Sequence, residues 1–466
     1  MATIYFTSNA DSGAGTLRAA LNSAEAGDVI MPDPNVFTSG PVVISCSSTL
    51  ITQLDVTIDG GSIGIVLDGQ NTNISAVSLA TAGETTLVNC TIKRFKRTSA
   101  APVYLNNAGA TLNLRRCLIA DNSNRYYGAI YVLRGTINLY DCLVTGNDIT
   151  TNSSYAALYL ASNGYATATR STISGNVRAN ISGTSRLTNT NTFVGLTPPT
   201  IGGTTPEEID FITPPPSAAI TFGEYTEGDW QSWDFRLKPT SPYLTGASYQ
   251  TGDLDLLGHP RTGSWGAYDG SWFVVPANGT ATIASNITVD YAEIGAGATV
   301  NFSAENLFLS VKKSASIASS VWSAPTGGNG YLAFPVGTNI SAATLTRVKA
   351  AAYGAGVDNL DYVYPEVFYA ATDMTIPVLL EYRVGSSGAW TTVANIAESP
   401  YTYAVTSTRN IRLFDGIGFY TAVAESPEPG PGNSYYELAA KTNVGYLVTK
   451  SLTGYLKTRD TVGYLN

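Results

Sequence analysis

Histidine occurs once and methionine three times in 466 residues, and only 13% of the residues carry charge. With His259 as the single imidazole, any Ser-His-Asp or Cys-His relay has to be built on that residue. It stands in LGHPRTG, without a nucleophile elbow of the Gly-x-Ser-x-Gly type, and is read as a hydrogen-bonded turn histidine. The four cysteines, Cys46, Cys90, Cys117 and Cys142, form no Cys-x-x-Cys pair. No stretch approaches the roughly 18 uncharged apolar residues of a membrane span, so no membrane span is expected. The start, MATIYFTSNAD, has no positive segment followed by an apolar one, so no signal peptide is read in it. The expected place is a virion or outside the cell, reached either by lysis or assembly into a particle or as a mature chain whose leader was removed. Basic residues cluster only at Lys93 to Arg97 (KRFKR), taken as a solvated face, while the net charge is -9. Binding to nucleic acid or to an anionic membrane surface needs a basic stripe, so neither is an expected partner.

What is abundant is Gly (45) and Tyr (28), with Ser, Thr and Asn filling much of the rest. That is the composition of strands and turns, and the length exceeds what one hydrophobic core usually serves, so an all-β repeat architecture is expected. Four segments align: VSLATAGETTLVNCTIKRF (77 to 95), VYLNNAGATLNLRRCLIADN (103 to 122), IYVLRGTINLYDCLVTGN (130 to 147) and LYLASNGYATATRSTISGN (158 to 176). Each reads strand, glycine turn, strand, small residue, aliphatic, and a turn ending in Asn. Cys90, Cys117, Cys142 and Ser171 share one column, separated by 27, 25 and 29 positions. A period of this size implies one solenoid coil per repeat. Alternation turns Val103, Leu105, Leu112, Leu114, Cys117 and Ile119 inward, with Ile130, Val132, Ile137, Leu139, Cys142 and Val144 below them. The thiols then fill a narrow core corner as small apolar groups; a disulfide or metal site is the other reading of such a column, and no histidine accompanies it. Asn122, Asn147 and Asn176 end their strands at a bend, where amides can satisfy turn backbone and stack from coil to coil.

These repeats resemble right-handed parallel β-helix proteins, especially the chlamydial polymorphic membrane protein repeats and related bacterial surface or phage spike proteins. YGAI (127 to 130) is similar to their Gly-Gly-Ala-Ile signature, and IADN, VTGN and ISGN to their Phe-x-x-Asn. GTLRAALNSAEAGDVI (15 to 30) resembles the opening motif of the group, and Leu17, Ala20, Leu21 and Ala24 make a short amphipathic helix able to cap the core. DFRLKPTSPYLTGA (234 to 247), DLDLLGHPRTG (253 to 263) and WGAYDG (265 to 270) resemble its closing coils. The resemblance covers residues 1 to 270 and implies a fold, whereas function has to come from sites.

The expected architecture is a parallel β-helix domain (1-270), a small β module or β-helix extension (271-325) and an immunoglobulin-like β-sandwich (326-426). A Pro/Gly linker (427-433) and a tail (434-466) follow. TPPTIGG and TPPPS within 188 to 230 read as an inserted loop. PVLLEYRVGSSGAWTTVANI (377 to 396) reads as a hairpin. In the tail Gly-Tyr-Leu recurs every nine residues, which keeps no single helical face, so Tyr446, Tyr455 and Tyr464 are assigned to short strands used in assembly.

Charged residues offer little chemistry. Polysaccharide cleavage needs a carboxylate cluster, with basic residues or calcium, on one coil face. Arg116, Asp141 and Arg170 share a column and read as a surface ion ladder. Asp121 and Asp148 form a second weak pair, and Asp253 and Asp255 could hold a calcium but lack the spacing of a complete loop. No cofactor, metal or catalytic residue is assigned. Tyr104, Tyr131 and Tyr159, following Ser78, alternate with inward aliphatics and should stack on an outer face, where they either stabilise strands or bind a glycan or partner subunit. The expectation is a noncatalytic structural or attachment protein, a phage spike, fibre or decoration component, as a homo-oligomer with a trimer guessed or as part of a larger particle or filament. A surface or secreted adhesin and a polysaccharide lyase or glycoside hydrolase are the alternatives.

Overall fold

A strand that pairs with its own repeat one coil later must do so in parallel, and every inward residue then sits on an inward residue. The computed structural model obeys this: it is 49% strand and 5% helix, with a parallel β-solenoid of about 12 turns and additional sheets. It describes residues 1–52, 55–98, 101–149, 156–196, 209–217, 219–220, 226–335, 338–353, 360–363, 367–370, 378–384, 389–396, 401–404, 409–414, 419–425, 435–441 and 455–457. Two compact units divide the chain, Met1–Ser271 and Trp272–Asn466.

In the first unit one parallel sheet runs through Thr3–Phe6, Val29–Pro32, Thr57–Asp59, Gly83–Val88, Val103–Arg115, Ile130–Tyr140, Leu158–Thr169 and Ile181–Ser182. A second takes Val42–Ser45, Ile65–Asp68, Cys90–Lys93, Leu118–Ala120, Leu143–Thr145, Thr172–Ile173 and Phe193–Val194. All twelve residues expected to point inward from the two central coils are fully buried, and Val103 stands over Ile130, Leu112 over Ile137 and Ile119 over Val144. At about 1.5–3 kcal/mol per large apolar side chain, this stack is the main stabilisation of the unit. Helix Leu17–Ser23 is N-capped by Thr16, whose Oγ1 accepts from the Ala19 N–H at 3.2 Å, and it buries Leu17, Ala20 and Leu21 in the same core.

Five successive coils turn at a residue in the left-handed region. Asn89, Arg116, Asp141, Arg170 and Asn191 all have φ between 45° and 57°. Such a conformation costs a non-glycine residue about 1–2 kcal/mol. Here it is held by bonds between coils, such as Arg116 N–H to Tyr140 O at 2.8 Å and Arg170 N–H to Thr190 O at 2.9 Å. In the YGAI turn, Gly128 has φ of 79° and a Cβ there would stand 1.9 Å from the Ala156 carbonyl oxygen, so only glycine fits.

The stretch expected as a loop after residue 188 is partly coil: Leu187–Thr190 and Phe193–Val194 pair in parallel with the preceding rung, and Ala219–Ile220 pairs with Asn176–Val177. Residues 197–208 lie outside the described residues. The segment resembling closing coils covers an outer face. Leu118, Leu143, Thr172 and Phe193 are register neighbours pointing away from the core. Phe193 packs edge-on against Phe211 at 5.4 Å and Tyr243 at 5.2 Å, and Leu143, Ile209, Phe235, Leu237 and Ala267 complete this second cluster. Aliphatic and aromatic residues on both faces of these strands are what the covering demands.

In the second unit the parallel pattern continues through Trp272–Val275, Ile287–Ile294, Phe308–Ile317, Gly330–Pro335 and Val348–Tyr353. Facing it are Thr280–Ile283, Ala298–Phe302, Ser320–Ser323 and Ala343–Thr346, around a core that includes Val289, Val300, Trp322 and Leu332. Parallel pairing thus persists beyond residue 325, and within the described residues of this unit antiparallel pairing starts at Leu360–Val363. Four- and five-stranded antiparallel sheets follow, and the expected hairpin is present as Val378–Val384 paired with Thr391–Ile396. Phe308 and Tyr331, outward on the parallel sheet, pack against Leu379 and Phe414 of the antiparallel one.

Candidate functional site

Parallel register brings Ser78, Tyr104, Tyr131, Tyr159 and Ser182 side by side on adjacent rungs. The rings of Tyr104 and Tyr131 lie 5.3 Å apart, and those of Tyr131 and Tyr159 5.0 Å apart at 25°. Tyr127, absent from the sequence-derived set, lies flat on Tyr131 at 4.4 Å and 9°. Tyr131 is consequently only 9% exposed, and Tyr126, at 37%, is the most open ring of the cluster, with the Arg125 guanidinium 5.1 Å above it. Burial raises the pKa of the Tyr104 phenol. The column therefore forms a five-tyrosine cluster with a rim at Arg125 and Tyr126. Stacked pairs of this kind contribute about 0.5–1.5 kcal/mol each. Tyr127 escaped sequence reading because it precedes the strand and lies outside the alternation.

The ion column is different from its sequence reading. Asp141 and Arg170 form a two-pronged pair, Nε to Oδ1 at 2.8 Å and Nη2 to Oδ2 at 3.0 Å, and both are buried. Arg261, from the covering segment, reaches Asp141 at 2.6 Å and donates to the Gly266 and Ala267 carbonyls at 2.8 and 3.0 Å. Arg170 also contacts Asp253 at 3.1 Å and the Ser248 carbonyl at 2.8 Å. The expected surface ladder is thus a buried lock, because residues 241–269 pack over that corner. Arg116 lies against Gly258 instead. Burial pulls the Arg170 pKa down, but its bonds to Asp141 outweigh this and leave it raised.

The remaining candidates are spent on structure. Asp253 is paired with Arg170, while Asp255, fully buried, accepts from the His259 and Asp269 N–H groups at 2.7 and 3.0 Å. His259 Nδ1 stands 3.5 Å from Asp255 Oδ2. Among the described residues no group of three His, Cys, Asp or Glu could hold a metal. Asp121 accepts from Gly228 N–H at 3.0 Å and Trp230 Nε1–H at 2.5 Å, whereas Asp148 lies on strand Asp148–Ile149. In the basic run Lys96 is exposed and Lys93, Arg94 and Arg97 are half-exposed, while Phe95 is fully buried and Arg94 pairs with Asp68. Burial pushes the Asp68 carboxyl up, but bonds from Arg94 and the Gln70 N–H outweigh it and hold it below the usual carboxylate range.

The amides and thiols form ladders. Asn122 Nδ2 donates to Asn147 Oδ1 at 3.1 Å and Asn147 Nδ2 to Asn176 Oδ1 at 2.9 Å, all three fully buried. The four thiols are buried and free, as the reading of the Cys column as apolar filling expects, and outside that column burial pushes the Cys46 thiol up to about 12. In the tail, Tyr455 opens strand Tyr455–Lys457, antiparallel to Leu360–Val363, while Tyr446 and Tyr464 lie outside the described residues. No protein-family model, curated protein or solved structure matches this chain.

Proposed function

We propose that this chain is a noncatalytic structural and attachment protein of the β-helix kind. Its sequence likeness to chlamydial surface repeats and phage spikes makes a virion spike, fibre or decoration component the specific reading. The observation that carries it is the lock of Asp141, Arg170 and Arg261: the charged column that stood nearest to a sugar-cleaving site is buried and mutually paired. The tyrosine cluster around Tyr104, Tyr131 and Tyr159, with Arg125 and Tyr126 at its rim, supports an attachment face for a glycan or partner subunit. The tail carrying Tyr446, Tyr455 and Tyr464 is assigned to assembly, and a homotrimer is the expected state.

Light scattering and electron microscopy of the chain with and without residues 433–466 test this. A defined oligomer or filament that dissociates on truncation is expected, and an identical compact monomer in both samples removes the assembly role. Release of reducing ends or unsaturated sugars from any member of a broad glycan panel would replace the proposal with the enzyme reading.

A further inference from the structure

The second unit contains a pocket of about 340 Å³ whose lining includes Glu305, Asn329, Arg347, Arg383, Trp390 and Arg412. Solenoid turns supply Glu305, Asn329 and Arg347, and the antiparallel sheet supplies Arg383 and Arg412. Arg412 is 5% exposed and fixed by Glu381 Oε2 at 2.8 Å, Asn306 Oδ1 at 2.9 Å and the Tyr331 hydroxyl. Its guanidinium carbon lies 4.3 Å from the Trp390 ring centre, and that of Arg383 lies 4.7 Å from it. Arg347 is oriented by two bonds to the Ala324 carbonyl, at 2.9 and 2.7 Å.

Charge around this pocket is unbalanced. Glu381, fully buried, is engaged by Arg412, Lys349 and the Tyr331 hydroxyl. Among the described residues four cations, Arg347, Arg383 and Arg412 in the lining and Lys349 beside it, therefore stand against Glu305 and Glu381, an excess of two positive charges in a chain of net charge -9. The Arg383 Nε is buried and has no hydrogen-bond partner among the described residues. A pocket with an excess of guanidinium groups calls for an acidic ligand, and the planar fork of arginine matches a carboxylate. Trp390 adds an apolar wall, and the volume lies at the lower end of that of small-molecule sites, room for a sugar ring.

We infer that this pocket binds a carboxylate-bearing saccharide unit, such as a uronic or sialic acid residue of a glycan. The inference does not rest on the attachment role proposed for the tyrosine cluster or on the oligomeric state. Isothermal titration of the full chain with galacturonate and N-acetylneuraminate tests it, with galactose as neutral control and inorganic phosphate as simple anion. At least one acidic sugar should bind saturably, with galactose at least tenfold weaker. Arg383→Gln, checked for unchanged circular dichroism, should weaken binding about tenfold or more, and Glu305→Gln, at an exposed site, should tighten it severalfold. Absence of binding by both acidic sugars, phosphate binding as tight as theirs, or equal affinity in the wild type and both variants would overturn the inference.

Discussion

Asn147 shows how a single side chain fixes a coil. Its Nδ2 donates to Ile119 O, Thr145 O and Asn176 Oδ1, each at 2.9 Å, and its Oδ1 accepts from Asn122. Asn147→Ala removes these side-chain bonds, although the N–H of residue 147 still donates to Asn176 Oδ1 at 3.1 Å and Asn122 Nδ2 keeps the Ile92 and Ala120 carbonyls. At about 1–3 kcal/mol for each group left unsatisfied, a loss of about 2–4 kcal/mol is expected. Cys142→Ser, by contrast, should cost within about 1 kcal/mol, since Ser171 already occupies the next place in that column and accepts from Cys142 N–H at 3.1 Å. Urea unfolding of the two variants checks the pair; similar losses in both would deny the amide its special role. The Asn and Cys columns were legible because a buried ladder demands the same residue at the same place in each coil. Tyr127 was not, because its position is set by the turn at Gly128.

Among elements, the segment from 241 to 270 depends on Arg261, which ties Asp141 to the Gly266 and Ala267 carbonyls. Removing a member of a buried charge network is costly; Asp141 keeps its pair with Arg170, but the Gly266 and Ala267 carbonyls lose their donor. Arg261→Gln should therefore open this segment first, read as new protease cuts between 241 and 270 while the coils at 103–176 remain protected. Wild-type cleavage kinetics in the variant would show that the apolar cluster around Phe193 suffices alone. That Arg170 and Asp141 share a column was legible in the sequence. Their burial was not, because the covering segment, Ser248 to Gly266, follows some 78 to 96 positions after Arg170 in the chain.

For the whole molecule, all four thiols lie in the core of the first unit, at 1%, 2%, 0% and 0% exposure for Cys46, Cys90, Cys117 and Cys142. Reaction with a disulfide reagent should be negligible in native protein and reach four thiols as residues 1–271 unfold, following loss of the parallel sheet. Rapid labelling of the native chain would contradict that packing. The sequence alone determined that the chain is all-β, that its central repeats coil in parallel and which side chains line their core. Those properties depend on alternation and repeat spacing, which are local and recur every 25 to 29 residues. Only the tertiary structure decided that an apparent surface ladder is a buried lock and that the tyrosine column is overlaid by Tyr127. It alone also gathers Arg347, Arg383 and Arg412 into one pocket in an acidic chain. These are contacts between segments far apart in the sequence, and no periodicity encodes which distant segment folds over which face.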